Sequence, residues 1–225
     1  MSGWSCVVLA WVVACGSSPS PEEFAKQHGP AVKAKLDAIK VAAAAGLNAP
    51  DDPSIKAVPG VVFEGTGVNA LAALYDDTVD LTADAPATRF SYPDDPIRSG
   101  KVLLGLKTNE PVYAAGIGPL ESTKYVLVVY RTKYSAPSKS ADNAFEPGAV
   151  QSTNVLVELG TNKILGSFTA EAESSAEVRA PDYDGHAGAE AAYQSYLDGD
   201  LRKHWADAIE EGIAKRWAGT KPPYL

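Results

Sequence analysis

Tyr125-Val126-Leu127-Val128-Val129-Tyr130-Arg131-Thr132-Lys133-Tyr134 decides the fold. Its first half is an unbroken run of β-branched, aliphatic and aromatic residues. A strand with one wet face alternates, so an unbroken run marks a strand covered on both faces. From Tyr130 the pattern alternates. It predicts Tyr130, Thr132 and Tyr134 on one side and Arg131 and Lys133 on the other. A Pro/Ser-rich loop over 135–148 follows, then alternation at Val155, Val157 and Leu159. Gly160-Thr161-Asn162 is turn chemistry. Beyond it Phe168, Ala170 and Ala172 alternate with Thr169, Glu171 and Glu173, a half-buried strand with a wet outer face. These three runs read as an antiparallel meander.

Helices flank the meander. Ser20-Pro21-Glu22-Glu23 is a helix start: Ser20 caps, Pro21 fits the first turn, and the two acids suit the positive end of the dipole. Val32, Leu36, Ile39 and Ala43 carry the helical spacing onward, and Gly46 and Asn48 end it. Gly29-Pro30 interrupts, so 21–46 reads as one kinked helix or two in line. At the other end Tyr193, Leu197, Leu201, Trp205, Ile209, Ile213 and Trp217 recur every four residues. Such a stripe drifts by about 40° per step on a 3.6-residue helix. Either one helix wraps a sheet, or Gly199 divides it. Between these regions, three prolines make 47–60 a loop. Val61-Val62-Phe63 reads as a short strand, Asn69–Tyr75 as helix or strand, and 76–100 mostly as loop. Ile97–Leu106 reads as a short helix or strand. The expected fold class is α+β: an antiparallel sheet, a meander of about three to five strands, with the N- and C-terminal helices on one face.

The chain has 225 residues, 45% of them hydrophobic and 21% charged, which is a globular balance and excludes full-length disorder. No apolar run reaches the roughly 18 residues of a spanning helix. The formal charge of −8 repels phosphate backbones, so nucleic acid is not an expected partner.

Trp4–Ala14 has the length of a signal-peptide core, and it ends in Val12-Val13-Ala14-Cys15. This ending resembles the lipobox of bacterial lipoproteins, although the n-region Met1-Ser2-Gly3 has no basic side chain. The resemblance implies removal of 1–14 as signal peptide and lipidation of Cys15. It also implies a membrane partner through the lipid anchor and a place in the bacterial cell envelope. Gly16, where Asp would favour the inner membrane, implies the outer membrane facing the periplasm. Residues 15–21 then form a flexible tether, 22–218 a single α+β domain and 219–225 a tail. Cys6 and Cys15 are the two cysteines of the chain, so the expected domain has no disulfide and no thiolate chemistry.

His28, His186 and His204 lie too far apart for a local metal site, and no Gly-x-Ser-x-Gly elbow nominates a nucleophile. Asp182-Tyr183-Asp184-Gly185 resembles part of a calcium loop, but its frame puts Ala180 and Ala191 at ligand positions. Asp76, Asp77, Asp80 and Asp84, with Asp94-Asp95, are an acidic cluster whose default is solvated turns. Gly65-Thr66-Gly67 is a fragment of a dinucleotide loop with Ala70 at its last glycine position. Tyr134 and Tyr183 are the tyrosines best placed to stack on a ligand. No catalytic residue, cofactor or metal is assigned. The segment from Leu156 to Ser167 resembles a hairpin found in periplasmic lipoproteins that bind envelope partners. The expected function is a non-enzymatic partner-binding or assembly lipoprotein. The alternatives are a carboxylate-dependent hydrolase and a small-ligand or glycan binder.

Overall fold

The strand that starts at Tyr125 lies inside the sheet, as its unbroken apolar run requires. The computed structural model describes residues 20–47, 49, 57–63, 67–75, 96–105, 114–139, 145–178 and 188–222. The elements in chain order are α1 (Pro21–Gly46), β1 (Ala70–Tyr75), α2 (Pro96–Leu103), α3 (Ala114–Ser122), β2 (Tyr125–Ser135), β3 (Ser138–Lys139), β4 (Phe145–Glu146), β5 (Ala149–Glu158), β6 (Lys163–Glu173) and α4 (Ala189–Arg216). The main sheet has the order β1-β2-β5-β6, and β3-β4 is a separate two-stranded hairpin within the expected 135–148 loop. The α+β class, the meander β2-β5-β6 and the two terminal helices match the sequence expectation.

One edge departs from the meander. β1 pairs with β2 in parallel, Ala70 opposite Tyr125 and Leu74 opposite Val129. A parallel neighbour needs a crossover, and α2 and α3 lie in that connection. The helix/strand ambiguity of 69–75 resolves to strand over Ala70–Tyr75, and that of 97–106 to helix as far as Leu103. Pro96, in the stretch expected mostly as loop, opens α2. Val61–Phe63 is not a strand. Val62 makes one isolated parallel bridge to Lys221, and the Asn69 side chain holds this turn by accepting from the Val62 N–H at 2.9 Å. The expected tail begins as packed chain: the Thr220 hydroxyl donates to the Val58 carbonyl at 2.8 Å in a buried setting.

The terminal helices do not share a face. Val126, Val128 and Tyr130 join Val32, Leu36 and Ile39 of α1, with Ile97 and Ile117 from α2 and α3. Leu127, Val129, Leu156 and Phe168 join Leu201, Trp205, Ile209 and Trp217 of α4. Alternate residues of β2 therefore feed two separate cores, and each core has its own helical layer. A strand buried on both faces demands this, and one helical layer would leave Leu127 and Val129 in water.

α1 begins with the expected capping box. The Glu23 N–H donates to the Ser20 hydroxyl at 3.2 Å, and the Ser20 N–H donates to the Glu23 carboxylate at 2.9 Å. The Ser20 backbone N–H first, and its side chain second, hold the Glu23 carboxyl below its ordinary range. The helix passes through Pro30, whose ring is exposed. At its far end the buried Tyr130 hydroxyl donates to the Ala43 carbonyl. That carbonyl also accepts from the Leu47 N–H at 3.1 Å.

α4 is one helix through Gly199. Its four-residue stripe is buried from Leu197 to Trp217. The Trp205 indole N–H donates to the Ser152 hydroxyl at 2.8 Å. Asn154, beside it, donates to the Phe168 carbonyl at 3.3 Å. This polar island inside an apolar layer is satisfied within the layer and fixes where α4 sits. Two glycines allow close approach. A Cβ on Gly166, at φ +153°, would stand 2.6 Å from the Trp217 indole nitrogen, and one on Gly212 would enter the Phe168 ring.

Two predictions follow from these contacts. Gly199 has open space around its missing Cβ, so Gly199→Ala should raise stability by up to about 1 kcal/mol through helix propensity. Gly212→Ala gains the same propensity but overpacks Phe168, at a cost of about 1–3 kcal/mol, so its urea midpoint should fall. Equal midpoint shifts in the two variants would refute this placement of α4. Burial pushes the Tyr130 phenol above its ordinary 10.0. The folded state then keeps a proton that the unfolded chain releases, so this stability is full below about pH 10 and is lost as pH rises further. Tyr130→Phe should cost about 1 kcal/mol at pH 7 and flatten the alkaline fall. The check is a series of urea midpoints at pH 7, 9, 10 and 11.

Candidate functional site

Three strands run on past the end of α1. Gly46, the last residue of that helix, lies against Tyr130 and Val155: a Cβ there would be 3.1 Å from the Tyr130 hydroxyl and 3.3 Å from the Val155 side chain. Beyond this point β2, β5 and β6 continue together as an overhang. Three cross-strand rows make it up: Lys133–Gln151–Glu171, Tyr134–Val150–Ala172 and Ser135–Ala149–Glu173. These rows line an open groove of about 720 Å³.

A register shift between Arg131 and Lys133 shapes the groove. Thr132 is the extra residue, and its hydroxyl donates to the Gln151 carbonyl at 3.2 Å. A bulge reverses which side the following residues face. Tyr130 pairs with Thr153 but Tyr134 with Val150, an odd separation on β5, so the two tyrosines lie on opposite faces. The simple alternation expected from Tyr130 to Tyr134 therefore fails. The bulge instead brings Tyr134 and Arg131 together, with the guanidinium carbon 4.3 Å from the ring centroid. Tyr134 stays 45% exposed, as a stacking residue must. On the other face the Gln151 amide donates to the Glu171 carboxylate. The β3-β4 hairpin closes the corner. The Gln194 amide on α4 donates to the Pro137 carbonyl at 2.8 Å, and the Lys139 ammonium lies 5.1 Å from the Tyr193 ring centroid.

A second cluster joins residues far apart in sequence. The Ser175 hydroxyl donates to Asp200 at 2.9 Å and lies 3.1 Å from Nε2 of His204. The Ser175 N–H donates to the same carboxylate at 2.8 Å. Asp200 also approaches His204 at Nε2, at 3.7 Å. In a nucleophilic triad the carboxylate holds the imidazole nitrogen opposite the serine. Here serine and carboxylate share one nitrogen, and the serine proton points at the carboxylate. The triangle is a tie between the end of β6 and α4. Asp200 and His204 stand four apart on one face of α4. Ser175 carried no signal, because only the fold brings it there.

His28 bonds Glu121 at 2.8 Å, linking α1 to α3 beside the Phe24 ring. Ala70 opens β1, so no helix follows the Gly65-Thr66-Gly67 fragment, as a dinucleotide loop would need. Among the described residues no group of three His, Cys, Asp or Glu side chains could hold a metal ion. Residues 1–14, Cys15, the acidic cluster from Asp76 to Asp95, Asp182-Tyr183-Asp184 and His186 lie outside the described residues.

No protein-family model matches the chain, and no curated protein matches it. Among solved structures it is similar to the hypothetical protein CT253 from Chlamydia trachomatis, with 8% identity over 65% of this chain and 97% of that one and a TM-score of 0.31. It is also similar to PelC from Paraburkholderia phytofirmans, a dodecamer, with 14% identity over 68% of this chain and 91% of that one and a TM-score of 0.28. At these scores neither likeness bears on what this chain does.

The Ser175 geometry has a direct test. Ser175 should stay unlabelled by a fluorophosphonate probe, and Ser175→Ala should lower stability by about 1 kcal/mol through loss of the tie. Stoichiometric labelling at Ser175 would reverse the assignment.

Proposed function

We propose that the chain is a lipid-anchored protein of the bacterial cell envelope, held by acylated Cys15, and that it acts by binding a partner rather than by catalysis. The observation that carries the binding role is the overhang of β2, β5 and β6 with its open groove. On the α1 side the strands run beyond their helix and leave Lys133, Glu171 and Glu173 exposed, while on the other side Val150 stays packed in the α4 core. A wide groove edged by one exposed tyrosine and several charged side chains suits a macromolecular surface better than a small reactant, which would be enclosed. The anchor rests on Val12-Val13-Ala14-Cys15 and the Ser/Pro segment after it.

Ser20, where the tether would join, and the groove lie at opposite ends of α1. From Cys15 to Ser20 the chain reaches at most about 18 Å. From Ser20 to Ala43 the helix rises about 35 Å, and the overhang begins beyond it. The groove is thus held on the order of 40 Å from the tether, clear of the headgroups when α1 stands off the membrane.

A second reading, glycan binding, draws on Tyr134, whose exposed ring is braced by Arg131. The test is photo-crosslinking in the native envelope from Lys133 and from Glu173, with Cys15→Ala alongside. The expected result is a single stoichiometric protein adduct from both positions, reduced when the anchor is removed, together with release of Cys15→Ala from membranes. Membrane retention of Cys15→Ala would overturn the anchor. Capture of glycan in place of protein would favour the second reading.

A further inference from the structure

We propose that the outer edge of β6, from Thr169 to Glu173, takes up an extended segment of the partner protein as a fifth strand, and that this segment carries basic side chains at alternate positions. This rests on the partner-binding role above and assigns the contact that performs it. β6 ends the strand order, with β5 on one side and, among the described residues, no strand on the other. An edge strand offers a row of outward backbone N–H and C=O groups to any chain that can lie along it.

The usable length is set by the register. A shift between Leu156 and Val157 interrupts the β5-β6 ladder near Leu165, and pairing is regular from Gly166 to Glu173; Gly166, Ser167 and Phe168 are buried, so the accessible part runs from Thr169 to Glu173. One face of this stretch is braced: Phe168 and Ala170 are buried in the core beneath α4. The strand is therefore held straight for an incoming chain without further ordering.

The other face sets the chemistry. Thr169, Glu171 and Glu173 are exposed there at successive alternate positions. Natural edges are commonly guarded by lysine or proline, and Gly166–Glu173 contains neither. Its guards are carboxylates. In an added strand, side chains directly opposite one another share a face, so a Lys-x-Lys or Arg-x-Arg spacing meets Glu171 and Glu173, while an acidic strand is repelled. A second copy of this chain, at −8, is disfavoured by the same field. Glu171 is also bonded by Gln151, and Lys133 stands in the same row on β2. Glu173 is the less committed of the two acids. The groove adjoins this edge, since Glu171, Ala172 and Glu173 line both.

The probe is a synthetic peptide of alternating Lys and Val, tested on the full chain in detergent by hydrogen exchange and by titration. A Glu/Val peptide and a Lys/Val peptide N-methylated at alternate amides serve as controls. Saturable binding of the Lys/Val peptide is expected, with new amide protection confined to 169–173. The N-methylated form should bind at least about tenfold more weakly, because it cannot complete the ladder. The double variant Glu171→Lys/Glu173→Lys should lose the Lys/Val peptide and gain the Glu/Val one. Both side chains are exposed, so this variant keeps the core intact. Protection that maps elsewhere, equal binding of the N-methylated peptide, or unchanged preference in the double variant would each overturn the strand addition. The docking role fails separately: crosslinks from Lys133 and Glu173 to a partner would persist if only the strand addition were wrong.

Discussion

Val126 to Tyr130 are five consecutive buried residues in one strand, and the rest of the structure answers to them. In an extended chain their side chains alternate, so two dry faces must be supplied within one short run. α1, α2 and α3 supply one and α4 the other. The parallel strand β1 follows from the same need, because β2 inside a sheet requires a hydrogen-bonding neighbour on both sides. Burial of the strand thus accounts for the layering, for the crossover and for the division of the core in two.

Apolar surface alone would not fix the second layer, since aliphatic contacts are non-directional. The Trp205–Ser152 bond and the Asn154 contacts add direction. A sliding α4 would leave the buried Trp205 indole N–H without its partner on β5, and that is costly. Gly212 and Gly166 set the approach, because both places where a side chain would intervene are bare. α1 has its own directional contact in the Tyr130 hydroxyl, and the same residue marks where the helical cover ends.

The overhang arises from the change of pattern along β2. Up to Tyr130 every residue is apolar, and afterwards Arg131, Thr132 and Lys133 intervene. That change was legible, and Tyr134 was identifiable as an exposed aromatic next to a proline loop. The consequence of Thr132 was not. A bulge is a mismatch between two strands, and neither strand alone records it. Lys133, Gln151 and Glu171 likewise form a row only through register, as Ser175 meets Asp200 and His204 only through the close of β6 on α4.

By itself the sequence determined the α+β class, the meander, the Ser20 cap, the Gly160–Asn162 turn and the buried stripe of α4. Each is a local property: a hydrophobic period, a capping side chain or a residue that tolerates positive φ. Tertiary structure alone decided which face each helix covers, that β1 runs parallel, where β2 bulges and which residues the groove gathers. Periodicity says that a face is buried and never against what. The covering partner is chosen by long-range closure of the chain, where register, directional hydrogen bonds and missing side chains decide between layers that are equally apolar.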